Sequence, residues 1–409
     1  MITRRVNTCI VGGGPAGLLL GLLLAKRGAD VLVLEGHETF EREFRGEVLQ
    51  PSTAHLLDEL GLLEYILAEP HSILDHAKVR LSGKEVGEFS FKKISPEYPY
   101  AIWMPQPIFL AALARKAEPF ATFQCWMGAK VSKLIHEDGR IVGVSGLRHG
   151  SEPFEIRADV VVGADGRYST VAKLGGFTPA YEHHDFDIVW FTIEQPTAWS
   201  STFYISFGEK VRGLMLPKYP HHIQAGIALP TGGWKTWRQE GVAFVADRVR
   251  EFDGVFTDFA DSLKDFTPFF PLEGIVRLVD DWARDGLLLI GDSAHTMSPA
   301  GAIGVNVALA TAAVAAQEIY PRLGRGPIPR TDLQRVQQLR EQDVRTLHGL
   351  QLKAQRVLTS NDGSSPMLKW LVPRVLPLLL HSPIMPKIQR RIFFGAPLPP
   401  LDPAFSFRP

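Results

Sequence analysis

The stretch Gly12-Gly13-Gly14-Pro15-Ala16-Gly17 constrains this chain more than any other. It follows a short apolar run, Asn7 to Val11, and opens a Leu- and Ala-rich segment, Pro15 to Lys26, that reads as a helix buried against a sheet. Gly28 ends the helix, and Val31 to Leu34 reads as a second strand, ending at Glu35. Strand, glycine turn, helix, strand is the βαβ order of a parallel sheet. In Gly12-x-Gly14-x-x-Gly17 the first glycine makes the tight turn, the second lets backbone approach a pyrophosphate, and the third lets the helix lie close on the strand. The helix start at Pro15 and Ala16 then turns its dipole toward the phosphates. Glu35 can accept hydrogen bonds from ribose hydroxyls and would repel a 2′-phosphate, so the loop is expected to hold FAD or NAD rather than NADP.

The 409 residues are too many for one simple core and predict two interleaved domains or one domain with a large insertion. With 45% hydrophobic and 22% charged residues there is ample material for a sizeable core. A formal net charge of zero argues against a nucleic-acid partner. Cys9 and Cys125 fit neither a disulfide framework nor metal-ligand spacing; no metal site is expected, and the compartment is expected to be the reducing cytoplasm. Arg4-Arg5 before an apolar run resembles an export signal, but the glycine fingerprint interrupts that run, so the segment is read as folded mature protein.

Further along, Ser52 to Leu67 and Gln106 to Ala117 have helical spacing, and Lys78 to Phe91 reads as a hairpin turning at Gly83. Lys130 to Val162 reads as a three-stranded meander with turns at Asp138-Gly139 and near His149-Gly150. Ile188 to Leu229 is a second block of β-like runs. Gly304 to Tyr320 and Leu333 to Leu358 read as helices.

Two more segments carry chemistry. Val160 to Lys173 runs Val-Val-Val-Gly-Ala-Asp-Gly-Arg-Tyr-Ser-Thr-Val-Ala-Lys, and Leu287 to Asn306 contains Leu-Leu-Leu-Ile-Gly-Asp-Ser-Ala-His. Each is a buried strand delivering an aspartate, Asp165 or Asp292, at its carboxyl end, where ligands bind in open α/β sheets. In order and spacing the three segments together resemble the group A flavin monooxygenases, the family of para-hydroxybenzoate hydroxylase, over roughly residues 5 to 325.

The resemblance implies an α/β fold in which a Rossmann-type FAD-binding domain is interleaved with a β-sheet substrate domain and followed by C-terminal helices. It places residues 1–75, 100–177 and 271–325 in the cofactor part, 76–99 and 178–270 in the substrate part, and 326–409 in the C-terminal segment. It implies Glu35 on the adenosine ribose, Arg45 near the pyrophosphate and flavin ring, and Gln106 and Val131 on the cofactor. Asp165 and Gly166 would lie by the pyrophosphate, and Asp292 on the ribityl chain. The run Pro299, Gly301, Ala302, Gly304, Val305 and Asn306 would line the flavin ring, its N–H groups stabilising the reduced anion. There are departures. Ala172, followed by Lys173, stands where the family usually has an arginine, and Ser298-Pro299 and Gly301-Ala302 replace Pro-Pro and Gly-Gly pairs.

The activity so implied is hydroxylation: NADPH or NADH reduces FAD, and a flavin hydroperoxide transfers oxygen to a small-molecule aromatic or phenolic substrate. One glycine fingerprint leaves the nicotinamide donor to bind transiently. Three rivals share the cofactor motifs. A halogenase would carry a Trp-x-Trp-x-Ile-Pro signature, which Trp234 and Trp237 do not form. A prenyl-type reductase and a flavoprotein that only binds a ligand remain open.

The substrate is expected against the block of strands from Asp187 to Leu229, with Trp190, Tyr204, Met215 and Gln224 as wall residues; alternate residues share a face, and the sequence does not choose between faces. Glu209, Lys210, Arg212 and Lys218 are expected in or beside turns, leaving no buried cation for a benzoate and predicting a neutral or phenolic, larger aromatic. His221-His222 reads as a polar turn, and His295 as support for the third motif. The basic, apolar, Pro-interrupted tail Lys369 to Phe394 is expected to cap the cofactor part, with weak membrane-surface contact as the alternative. The chain is expected to act as a monomer or homodimer.

Overall fold

The computed structural model describes residues 1–41, 48–81, 83–197, 199, 202–208, 210–299, 301–359, 382, 389–391, 394 and 397–408. Arg45 therefore lies outside the described residues, as does most of the tail Lys369 to Phe394.

The apolar strands at the start of the chain build a parallel sheet in the order Leu287–Leu289, Glu152–Gly163, Ile2–Val11, Val31–Leu34, Phe123–Trp126. Val11 pairs with both Gly163 and Leu34, and Gly163 pairs with Leu289. All three motifs thus leave the sheet at the same carboxyl edge, which explains how stretches nearly 300 residues apart in sequence meet at one site. The helix Pro15–Lys26 is buried from Ala16 through Ala25, as its uniformly apolar composition requires. It lies close to the sheet because a Cβ at Gly17 would meet the Gly12 carbonyl at 2.0 Å, and one at Gly21 would meet Phe123 at 3.0 Å. The meander forms as Ala129–Glu137, Arg140–Arg148 and Glu152–Gly163, with Asp138, Gly139, His149 and Gly150 all at positive φ in its turns.

A second sheet runs His295–Thr296, Phe270–Val279, Pro179–Glu194, His222–Pro230, Arg212–Lys218, Phe203–Phe207, His76–Leu81, Lys84–Ser90. Its outer face is covered by the helices Gly233–Glu240, Val242–Phe252 and Thr257–Ser262 through an aromatic cluster in which Phe191 stacks on Phe259 and meets Phe256 edge-on. Its inner face turns toward the parallel sheet. The long helix Arg330–Thr359 packs against both.

The structure differs from the sequence reading in three places. The expected helix Ser52 to Leu67 is two, Pro51–Glu59 and Leu63–Leu67. They break at Gly61, whose φ of +66° accommodates the chain end: Phe407 donates to the Leu60 carbonyl, and a Cβ at Gly61 would meet the Arg408 nitrogen at 2.6 Å. The strand Phe270–Val279 had no alternating signal and pairs along Pro179–Glu194, so residues 271–279 belong to the second sheet rather than to the cofactor part. The helices between 233 and 262 were not read at all. Arg212 and Lys218 are the two terminal residues of a strand, beside the bend and turn that flank it, as expected. Glu209 is outside the described residues.

Candidate functional site

A cavity of about 1000 Å³ lies between the carboxyl edge of the parallel sheet and the inner face of the second sheet, at the upper end of the range for small-molecule sites. Its lining divides by chemistry. On the cofactor side it is Gly12, Gly14, Pro15, Ala16, Glu35, His37, Gln106, Lys130, Val131, Asp165, Gly166, Arg167, Asp292, Pro299, Gly301, Ala302, Gly304 and Val305. On the second sheet it is Phe186, Ile188, Trp190, Phe203, Ile205, Phe207, Leu214, Leu216, Ala228 and Leu272. Every charged side chain of the lining, Glu35, Lys130, Asp165, Arg167 and Asp292, is on the first side.

The glycine loop meets the requirements of a dinucleotide phosphate. Gly12 has φ +112° and sits so close to the Ala164 carbonyl that any Cβ would overlap it at 2.3 Å. A Cβ at Gly14 would find nothing nearer than 4.0 Å, so that side of the backbone is open to the cavity. Gly14 is the N-cap of Pro15–Lys26 and no side chain caps it, leaving first-turn N–H groups for an anion. Glu35 is buried. One oxygen accepts from the Gly13 N–H at 2.8 Å, and the other accepts from the His37 N–H at 2.9 Å and faces the His37 ring nitrogen at 2.7 Å. Its carboxylate is thereby fixed at the end of the cavity. These features fit FAD.

The second and third motifs are tied to each other. Asp165 accepts from the Ser169 hydroxyl, from the Val171 N–H at 3.0 Å and from the Ser293 hydroxyl at 3.2 Å, while Gly166 N–H donates to Ser293 Oγ at 2.9 Å. The Asp165 carboxylate is therefore an organiser of the loop. Asp292 stays partly exposed to the cavity, 3.9 Å from Arg167. Asn306 does not line the cavity. Its amide oxygen accepts from the Gln50 N–H at 2.7 Å and the Thr53 hydroxyl, and its nitrogen donates to the Ala302 and Val48 carbonyls, at 3.0 and 3.3 Å. It pins the loop around Ala302 to Val48 and to the segment after Val48–Leu49. Gly17 also stays out of the cavity and serves helix packing.

Register separates the four expected wall residues. Trp190 pairs with Gly226 and Gly226 with Leu214, on the inner face. The Trp190 ring covers Gly226 so closely that a Cβ there would meet it at 2.8 Å. Gln224, opposite Thr192 and Leu216, shares that face but lies beyond the cavity lining. Tyr204 and Met215 pair with each other on the opposite face and pack into the outer aromatic core, so the wall assignment is wrong for both. Arg80 lies 3.8 Å from the Tyr204 ring centroid. Arg212, on the inner-face register, is not part of the lining; burial lowers its pKa.

Sequence reasoning missed Gln50, Trp103, Leu347, Leu350, Gln351 and Gln389, all of which line the cavity. None sits in a motif, and no spacing in the chain points to them. The C-terminal segment does reach the site: Gln389 is in the lining and Phe394 packs against the inner-face cluster. His295 is fully buried, bonds Thr311 Oγ1 at 3.0 Å and packs on Trp282. His221 is in a turn and His222 begins a strand. Among the described residues no helix is long and apolar enough to cross a membrane, and no cluster of His, Cys, Asp and Glu could hold a metal.

Residues 5–324 match the family described as FAD binding domain. The chain is 34% identical to the 6-methylpretetramide 4-monooxygenase of Streptomyces rimosus over 395 residues, covering 96% of this chain and 93% of that protein. It is 25% identical to the digeranylgeranylglycerophospholipid reductase of Methanocella arvoryzae over 342 residues, 80% of this chain and 81% of that one. The crystal structure of p-nitrophenol 4-monooxygenase from Pseudomonas putida superposes with a TM-score of 0.80 at 18% identity, covering 97% of this chain and all of that one, a likeness of fold.

Proposed function

We propose, for a chain that belongs to the FAD binding domain family and is a group A flavin-dependent aromatic monooxygenase, that its substrate is a neutral or phenolic polycyclic aromatic. The observation that carries this reading is the inner face of the second sheet. From Phe186 to Leu272 its lining is aromatic and aliphatic, without one charged side chain. A carboxylate buried there would be left without a partner, at a cost of several kcal/mol. A flat, fused-ring phenol instead gains apolar contact on Trp190, Phe203, Ile205 and Leu216. The relative from Streptomyces rimosus is named for 6-methylpretetramide, not for a benzoate.

In this reading the pyrophosphate of FAD lies on Gly12 to Ala16, its adenosine ribose on Glu35, its ribityl chain by Asp292, and its ring against Pro299 to Val305, with Gln106, Val131 and Gly166 along its length. When bound, FAD supplies reduction by NAD(P)H and activation of dioxygen. The chain's own residues orient the substrate on the second sheet and exclude water from it. The parallel sheet and its loops act as the cofactor part and the second sheet as the substrate part. The C-terminal segment closes the cavity, through Leu347, Leu350 and Gln389. The described tail residues Gln389, in the cavity lining, and Phe394, against the inner-face cluster, support a cap over a membrane contact.

The test is a panel of phenolic anthracene- and tetracene-type compounds set against small benzoates. Fused-ring phenols are expected to accelerate NAD(P)H oxidation and gain one oxygen atom. Turnover confined to benzoates would remove the substrate proposal.

A further inference from the structure

The helix Arg330–Thr359 lies beyond the matched family segment, yet it grips the flavin-side loop by one side chain. Gln351 Oε1 accepts from the Ser298 N–H at 3.1 Å, and Gln351 Nε2 donates to the Ser298 carbonyl at 2.8 Å. One amide thus satisfies both backbone groups of a single residue, as a neighbouring strand would. Both residues are buried, so water cannot replace either bond. Ser298 is followed by Pro299, which opens the run through Gly301, Ala302, Gly304 and Val305 along the cavity. Gln351 itself, with Leu347 and Leu350 on the adjoining turn, is part of the cavity wall.

The same helix carries a second bridge of the same kind. Gln337 Oε1 accepts from the Trp282 N–H at 2.9 Å, and its Nε2 donates to the Asp280 carbonyl at 2.8 Å. Gln337 is outside the cavity lining. It offers an internal control: the same two backbone bonds, with a further bond to Glu341 at 2.9 Å, and no approach to the loop.

We propose that Gln351 is a positioning residue for the flavin ring: by holding both backbone groups of Ser298 it sets the loop whose N–H groups stabilise the reduced flavin, and it links that loop to the substrate wall. Loss of the bridge removes two buried backbone hydrogen bonds from Ser298 and lets the loop depart from the arrangement that faces the ring. The assignment rests on the placement of Pro299 to Val305 at the flavin ring proposed above.

The experiment uses the FAD-loaded protein and needs no substrate. Gln351→Leu is expected to lower the flavin midpoint potential, to alter its visible absorption, and to weaken FAD roughly tenfold. Gln337→Leu is expected to lower the melting temperature comparably while the flavin keeps its wild-type spectrum and potential. Gly304→Ala, whose added methyl meets nothing nearer than Met297 Cβ at 3.5 Å, reports on the loop itself and is expected to shift the spectrum. If Gly304→Ala shifts it and Gln351→Leu does not, the role of Gln351 is overturned alone. If neither does, the loop is not at the ring and both assignments fall. A potential moved as far by Gln337→Leu as by Gln351→Leu overturns the proposal as a general stability effect. If Gln351→Leu yields no soluble protein, Gln351→Glu, which keeps the shape and loses the donor, is judged by the same criteria.

Discussion

Trp190 lies over Gly226 in the cavity wall, where the substrate is proposed to bind, and only the absence of a Cβ at Gly226 lets the indole lie where it does. Gly226→Ala is expected to displace the ring and weaken a fused-ring ligand by about tenfold or more, since the loss of good stacking and burial is worth on the order of 1–3 kcal/mol. Titration of the FAD-loaded variant measures it; wild-type affinity would show that the indole is not part of the wall. Tyr204, on the far face, behaves differently: Tyr204→Ala should cost about 3–5 kcal/mol of stability, as for other buried aromatics, and leave ligand affinity alone. On the cofactor side, Asp292→Ala is expected to weaken FAD by roughly 10- to 100-fold, the effect of losing a charge-assisted hydrogen bond worth ~1.5–3 kcal/mol. At this scale the glycine fingerprint and Glu35 were readable because each requires a residue type for a steric or charge reason. Which of Trp190 and Tyr204 faces the cavity was not readable. Strand alternation divides residues into two faces, and only the partner layer decides which face is inside.

The long helix Arg330–Thr359 is an element whose polar residues point inward. Arg340 and Asp343 form a buried ion pair at 3.2 Å, and His348 meets the Tyr181 hydroxyl at 2.8 Å. Burial lowers the pKa of His295 to about 3 and that of His348 to about 4, with the Arg340 charge adding to the first and Arg345 and His183 acting against protonation of the second. Both histidines are therefore neutral in the folded protein, while in the unfolded chain they titrate near their ordinary value of about 6.5. Below that pH the unfolded state binds more protons, so stability is complete above about pH 6.5 and falls as pH drops toward 4. Each histidine should contribute on the order of 1 kcal/mol per pH unit. Denaturant melts from pH 7 to pH 4 check this, with His295→Gln and His348→Gln flattening the slope; an unchanged slope in both variants would refute it. The sequence shows Leu333 to Leu358 as a helix and gives no sign of its role. Glutamines and histidines at helical spacing look like a solvated face until the loops they bond are in place.

Across the whole molecule, the order of the three motifs was legible because each sits on an apolar strand that must be buried in one sheet. The second sheet was only half legible. Phe270–Val279 returns from the helical excursion to pair with Pro179–Glu194, a long-range pairing with no local signature. A cap from the tail was expected, but the contribution of Leu347, Leu350 and Gln351 to the cavity wall was hidden, since it depends on three layers meeting: the parallel sheet, the second sheet and the helix after both. The assembly brings a glycine-rich, charged half and an apolar, aromatic half around one cavity, the arrangement an FAD-dependent aromatic hydroxylase requires. The most direct test is turnover of the FAD-loaded protein with NAD(P)H, a fused-ring phenol and isotopically labelled dioxygen. The expected product is heavier by one labelled oxygen atom for each NAD(P)H consumed. A product that instead gains two hydrogens without labelled oxygen, formed equally well under anaerobic conditions, would contradict the monooxygenase account.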